Sequence, residues 1–242
     1  MTPEFFPENI SVISTKRYLS KKPKSYFNGY DSFNIADHVA DNSERVFDNR
    51  KKLVNYFNLP SEPRYLNQIH SDKCLSFGSS ECEGDALYTN RKNEVCAILT
   101  ADCLPIFITD TLGQEVAIVH AGWKGLLSGI IEQTLKTFDS KNLVAHFGPA
   151  ISQDKFEVGE EVRDQYISKD IIFKSAFKTT IDKHYLDLYH AARLILNSFN
   201  ICKISGGNDC TFRQKDEYFS YRRDGTNSGR MVNLIWINQG PF

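Results

Sequence analysis

Three short apolar runs, VCAILT, LPIFIT and EVAIVH, follow one another within residues 95–120, separated only by ADC and DTLGQ. Each is too short for a globular helix and is dense in apolar, β-branched side chains, the pattern of buried strands. VCAILT reads as a fully buried strand. LPIFIT and EVAIVH read as an antiparallel pair turning around Asp110-Thr111-Leu112-Gly113. A chain with this centre must be built on a sheet.

The flanking segments supply helices. SERVFDNRKKLVNYF follows Asn42, a side chain suited to capping, and repeats Val46, Phe47, Leu53, Val54 and Phe57 at helical spacing until Leu59-Pro60. Leu126, Leu127, Ile130, Ile131, Leu135 and Phe138 lay an apolar stripe on a second helix. GEEVRDQYI predicts a short helix. In YLDLYHAARLILNSF, Leu188, Ala192, Ile195, Leu196 and Phe199 share one face. Arg64 to His70, LVAHFGP and parts of the first 30 residues read as further strands. EYFSYRR, DGTNSG and RMVNLIWI read as a closing hairpin. Strands outnumber helices without steady βαβ alternation, which predicts an α+β fold of mixed β-sheets flanked by helices. No repeat or Pro/Gly-rich linker divides the chain, so a single domain over residues 1–242 is expected.

Composition excludes several classes of function. With 29 basic and 30 acidic side chains the formal net charge is −1, giving no general attraction to nucleic acid or anionic membrane. A local basic patch sits at Lys21, Lys22 and Lys24. No run approaches the ~18 apolar residues of a membrane span, and MTPEFFPENISVIS is a poor secretory signal. The six cysteines show no CxxC pair, which favours reduced thiols and a cytoplasmic location.

The central hairpin carries a candidate site. Symmetric pairing about the turn sets Cys103 opposite His120, on one face and at one mouth of the hairpin. A tetrahedral zinc needs sulfur and nitrogen donors about 3.5 Å apart, which side chains from paired strand ends can meet. A buried cysteine and a polar strand end is the competing, purely structural reading. HAGWKG then places Gly122 and Gly125 at a strand-to-helix turn, where backbone can approach a ligand. Two ligands make a poor metal site. Of the remaining histidines His70, ending a strand in NQIHS, is the best-placed third, whereas His146 sits in an apolar strand and His190 on an outer helix face.

NQIH at 67–70, GDAL at 84–87, TADCLP at 100–105, HAGWKG at 120–125, FGPAI at 147–151 and SYRR…GR at 220–230 occur in this order. Together they resemble the laccase-domain, polyphenol-oxidase-like family of purine nucleoside phosphorylases, which includes a peptidoglycan-editing factor. The resemblance runs over residues 33–236 and departs slightly at Lys124 and Ala40. It implies a zinc site of His70, Cys103 and His120, and phosphorolysis of adenosine, inosine, guanosine and methylthioadenosine, with deamination of adenosine. Purine nucleosides and phosphate are then the partners. The multicopper label fits poorly, because several copper centres need far more than six histidines. Adventitious copper on the same ligands is expected from its higher affinity.

Deamination needs a carboxylate to move protons, for which Asp102 and Asp85 are the candidates. Strand alternation points Asp102 away from Cys103. Phosphorolysis needs an anion site, for which Arg222, Arg223 and Arg230, crowded at one end of the closing hairpin, and Arg50 are the candidates. Two other readings stay open: a cysteine hydrolase or editing enzyme with Cys103 as nucleophile and His120 as base, and a non-enzymatic binding protein.

Overall fold

The apolar runs at the centre of the sequence do form strands, and every residue of Leu104–Asp110 and Val116–Ala121 is buried. The computed structural model describes residues 2–19, 30 and 32–240, so Lys21, Lys22 and Lys24 lie outside the described residues. In chain order the elements begin with β1 (Ile10–Ser14), α1 (Ser43–Phe57), β2 (Cys74–Ser76), β3 (Ala86–Thr89) and β4 (Cys96–Thr100). They continue with β5 (Leu104–Asp110), β6 (Val116–Ala121), α2 (Trp123–Ser128), α3 (Ile130–Lys136) and β7 (Leu143–Phe147). Next come β8 (Glu157–Val158), α4 (Glu160–Lys169), β9 (Phe177–Thr179) and β10 (His184–Leu186). The chain closes with α5 (Leu188–Ser198), β11 (Ile204–Gly206), α6 (Tyr221–Asp224) and β12 (Met231–Ile237).

A six-stranded sheet of order β11-β7-β5-β6-β3-β2 packs against a three-stranded sheet of order β1-β12-β4. Side-chain alternation explains why the central runs have no polar face. Ile106, Ile108, Ala117 and Val119 point toward α2 to α5, meeting Leu126, Ile130, Ile131, Ala192 and Ile195. Phe107, Val116 and Ile118 point the other way, onto Cys96, Ile98, Ile235 and Ile237 of the smaller sheet. The far side of that sheet, with Ala97, Leu99, Val232 and Trp236, is covered by α1 through Leu53. Each fully buried Val, Leu, Ile or Phe among them contributes about 1.5–3 kcal/mol. The layers run helix, sheet, sheet, helix, which is the expected α+β arrangement of mixed sheets in one compact domain. A third, small sheet of order β8-β10-β9 sits beside α4.

Several local expectations are corrected. Pro105, not Cys103, pairs with His120, and the ladder ends at Leu104 opposite Ala121. The Asp110 carboxylate gathers the N–H groups of Leu112, Gln114 and Glu115, so the turn sits one residue further on, with Gly113 at φ 69°. That slip moves partners by two residues and therefore keeps every side chain on its expected face. The stripe from Leu126 to Phe138 is carried by two helices, broken at Gly129 with φ 101°. Phe47 is 58% exposed, with the Lys51 ammonium over its ring, and Phe199 is 43% exposed beyond the end of α5.

Residues 64–70 make only isolated bridges, because Gln68 pairs with Leu99 through its side chain. Its amide accepts from Leu99 N at 2.7 Å and donates to Leu99 O at 2.8 Å. The closing hairpin does not form. Ser220 caps the short helix α6 by accepting from Arg223 N, and β12 pairs with β1 and β4 instead.

Candidate metal centre

Between β4 and β5 the chain turns at Asp102, a buried residue with φ 91°. Its carboxylate accepts from Thr211 Oγ1 at 2.6 Å and from Arg222 N at 2.7 Å. Asp102 thus faces away from the site, as strand alternation predicts, and serves to anchor the turn rather than to carry protons. The next residue, Cys103, lies just outside the ladder, its Sγ 3.9 Å from His70 Nε2. His120 is buried near the end of β6, and the rings of His70 and His120 meet edge to face with centroids 4.8 Å apart. One donor atom from each of His70, Cys103 and His120 lies within 4.8 Å of the others.

Asp85 holds the two imidazoles in place. Its Oδ1 receives His120 Nδ1 at 2.8 Å and the backbone N–H of His70 at 3.0 Å. Its Oδ2 receives Ile69 N at 3.3 Å, Ser71 N at 2.6 Å and the Ser71 hydroxyl at 2.8 Å. These bonds stabilise the loop in which His70 adopts the left-handed φ of 60°. They also leave Nε2 as the His120 nitrogen that would face a metal, the usual arrangement where a carboxylate supports a metal-binding histidine. Asp85 is therefore an orienting residue.

The electrostatics describe a Cys103 thiolate paired with a His120 imidazolium, whose proton a metal would have to displace. Burial alone would raise the Asp85 carboxyl, but its bonds from His120 and Ser71 prevail and bring it down to about 2. Burial would likewise raise the Cys103 thiol, yet the His120 and His70 imidazoles bring it down to about 6. Burial disfavours the His120 cation, but the Cys103 thiolate and Asp85 raise it to about 9. A thiolate and two imidazoles are a borderline-soft set that suits zinc or copper rather than magnesium or calcium.

Gly122 makes room for this cluster. A Cβ there would lie 3.0 Å from Cys103 Sγ and 3.0 Å from His70 Cδ2. Its φ of −72° is open to any residue, so the constraint is space alone. Gly122→Ala is expected to leave thermal stability nearly unchanged while reducing metal retained on purification by about 10-fold or more, the scale of lost outer support. Elemental analysis beside a melting curve checks this.

The three arginines of the closing segment have different partners. Arg222 lies over the Phe156 ring and donates to the carbonyls of Lys155 and Glu157. It lines a cavity of about 670 Å³ beside α4 that contains none of the three ligands. Arg223 pairs with Asp224 and donates to the carbonyls of Thr211, Phe212 and Tyr218. Arg230 lies over the Tyr221 ring and donates to the carbonyl of Gly229. Arg50 pairs with Asp37 and lies over the Tyr65 ring.

Sequence reading passes over Ser71 and Thr211, whose roles depend on which carboxylate they reach. As expected, His146 is a partly buried, hydrogen-bonded histidine, 2.7 Å from Ser205 Oγ, and burial brings it down to about 4.

The chain is 43% identical over 240 residues to a purine nucleoside phosphorylase of Haemophilus influenzae, covering 96% of both chains. It is 41% identical over 213 residues to purine nucleoside phosphorylase YfiH of Escherichia coli, covering 86% of this chain and 87% of that one. The crystal structure of Neisseria meningitidis protein NMB0706 superposes with a TM-score of 0.88 at 37% identity, covering 97% and 96% of the two chains. The sequence profile of the multi-copper polyphenol oxidoreductase laccase family matches residues 15–238. With those relatives and the His70, Cys103 and His120 cluster of a metal-binding fold, the chain belongs to the multi-copper polyphenol oxidoreductase laccase family.

Proposed function

We propose that this protein is a zinc-dependent purine nucleoside phosphorylase that also deaminates adenosine. The observation that carries the reading is the convergence of His70, Cys103 and His120 in a chain so similar to purine nucleoside phosphorylases. The substrates are adenosine, inosine, guanosine and methylthioadenosine, with phosphate. The six unpaired cysteines suit a cytoplasmic enzyme.

When bound, zinc supplies a Lewis acid at the mouth of the hairpin. Asp85 keeps His120 in the tautomer whose Nε2 faces that position, and Gln68, locked onto Leu99, holds the approach to His70. In phosphorolysis a phosphate oxygen forms the bond to C1′ of the ribose. The C1′–N9 electron pair leaves with the purine, and the proton lost by the phosphate monoanion ends on the released base.

Metal-loaded protein with adenosine should release adenine and ribose 1-phosphate only when phosphate is added. Inosine formed without phosphate reports deamination. Formation of neither product would refute the reading.

A second reading has its own support. Asp85, His120 and Cys103 form a relay of carboxylate, imidazole and activated thiol, the arrangement of a cysteine hydrolase. Chelation separates the two: a hydrolase keeps its activity without metal, whereas the zinc enzyme loses it.

A further inference from the structure

We propose that Thr211, acting through Asp102, is a positioning residue for the metal centre: its hydroxyl holds the turn that presents the Cys103 sulfur to the two imidazoles. This rests on the metal-binding part of the reading above and is independent of the nucleoside chemistry.

The place of Cys103 depends on a short link. β4 ends at Thr100 and β5 begins at Leu104, so residues 101–103 join two strands that belong to different sheets. Within that link Asp102 takes φ 91°, a left-handed conformation that strains a non-glycine backbone. Such strain persists only where the surroundings over-determine it. Released to a negative φ, residue 102 would turn the peptide leading into Cys103. Its Sγ would then leave its place 3.9 Å from His70 Nε2. Donor atoms must come within about 2.0–2.3 Å of a zinc ion. A shift of about 1 Å in one of them is enough to spoil such a site.

The restraint comes from segments remote in the chain. Thr211 Oγ1 donates to Asp102 Oδ1 at 2.6 Å, and Arg222 N donates to Oδ2 at 2.7 Å. Ile151 N donates to the Asp102 carbonyl at 3.0 Å. Thr211 is itself fixed, since its N–H donates to Ala150 O at 3.0 Å and its carbonyl accepts from Arg223 Nη1 at 2.8 Å. Ala150 N in turn donates to the Tyr189 hydroxyl at 2.7 Å. Thr211 and Asp102 are both buried, which keeps water from competing for these bonds. The Arg222 N–H is present whatever its side chain, whereas the Thr211 hydroxyl depends on residue type: valine has the same shape without it. Asp85 offers a parallel in the neighbouring loop, where a carboxylate accepts from the N–H of left-handed His70.

The test titrates full-length protein with Co²⁺ and, by competition against a chromophoric chelator, with Zn²⁺. Thr211→Val should raise the Kd for both ions about 10-fold or more, the scale of lost outer support. It should also weaken the near-ultraviolet thiolate-to-cobalt charge-transfer band per bound ion. Thr211→Ser, which restores the hydroxyl, should recover both. Asp102→Asn separates restraint from charge: its amide can accept from Arg222 N and donate to the Thr211 oxygen, so it should bind the ions more tightly than Asp102→Ala. Asp102→Gly adopts φ 91° without strain but has nothing to tether, and should bind as poorly as Asp102→Ala. Melting curves accompany each titration, because the charge-transfer band per bound ion reports the sulfur's position and not overall stability. Thr211→Val and Asp102→Gly proteins that keep the wild-type Kd and band, whatever their melting temperatures, would overturn the proposal and leave the metal centre standing. Wild-type protein that binds neither ion would overturn both.

Discussion

Cys103→Ala is expected to purify folded but nearly free of metal, with nucleoside turnover at background. The residue lies outside the β5–β6 ladder and only partly buried, so removing its sulfur opens no large cavity in the sheet. What it removes is the single anionic donor among three. Loss of a supporting partner alone weakens metal sites by about 10- to 100-fold, and loss of a ligand should exceed that. Cys103→Ser separates size from chemistry: it restores the shape but offers a hydroxyl that stays protonated at neutral pH. Metal content, melting temperature and product formation, measured on the same preparations, check the prediction. A Cys103→Ala protein that keeps stoichiometric metal and turnover would remove Cys103 from the site.

Asp85→Asn is expected to cost both stability and metal. One carboxylate accepts from three backbone N–H groups, a hydroxyl and an imidazole. An amide has one acceptor oxygen, and its NH₂ group must face donors. Leaving buried donors unpaired costs about 1–3 kcal/mol each, so a loss of about 3 kcal/mol is expected. Metal affinity should fall about 10- to 100-fold as His120 loses its fixed tautomer.

The pH dependence has a definite sign. The Asp85 carboxyl is lowered in the folded protein from its ordinary 3.8 to about 2. Its contribution to stability is therefore complete above about pH 4 and declines as pH falls toward 2, amounting to about 2 kcal/mol at neutral pH. Chemical denaturation of wild type and Asp85→Asn across that range should show the difference between them shrinking as acid is added. A constant difference down to pH 2 would contradict the assignment.

The shared face of Cys103 and His120 is legible in the sequence, for a reason seen in the hairpin. Side chains alternate with a period of two, so a register slip of two residues left Cys103 and His120 on the same face although the pairing was wrong. The turn geometry was not legible, because it depends on how the Asp110 side chain captures N–H groups further on. The break at Gly129 was missed for a similar cause: apolar spacing continues across a glycine that alone permits φ 101°. The closing segment was misread because strand-like sequence does not say which partner is vacant. β12 occupies the slot between β1 and β4, and residues 221–227 form two short helical turns instead.

The sequence by itself determined the elements of the core and the residue types of the metal site, since continuous apolar runs must be buried and a thiol with imidazoles is a donor set anywhere. Only the tertiary structure decided that Asp85 reaches His120 and the backbone of His70, that Asp102 anchors a turn, and that Arg222 and Arg223 spend donors on backbone carbonyls. The physical reason is reach. Burial and alternation are properties of a segment, whereas the work done by a charged side chain depends on which distant segment folding brings within a few ångströms of it.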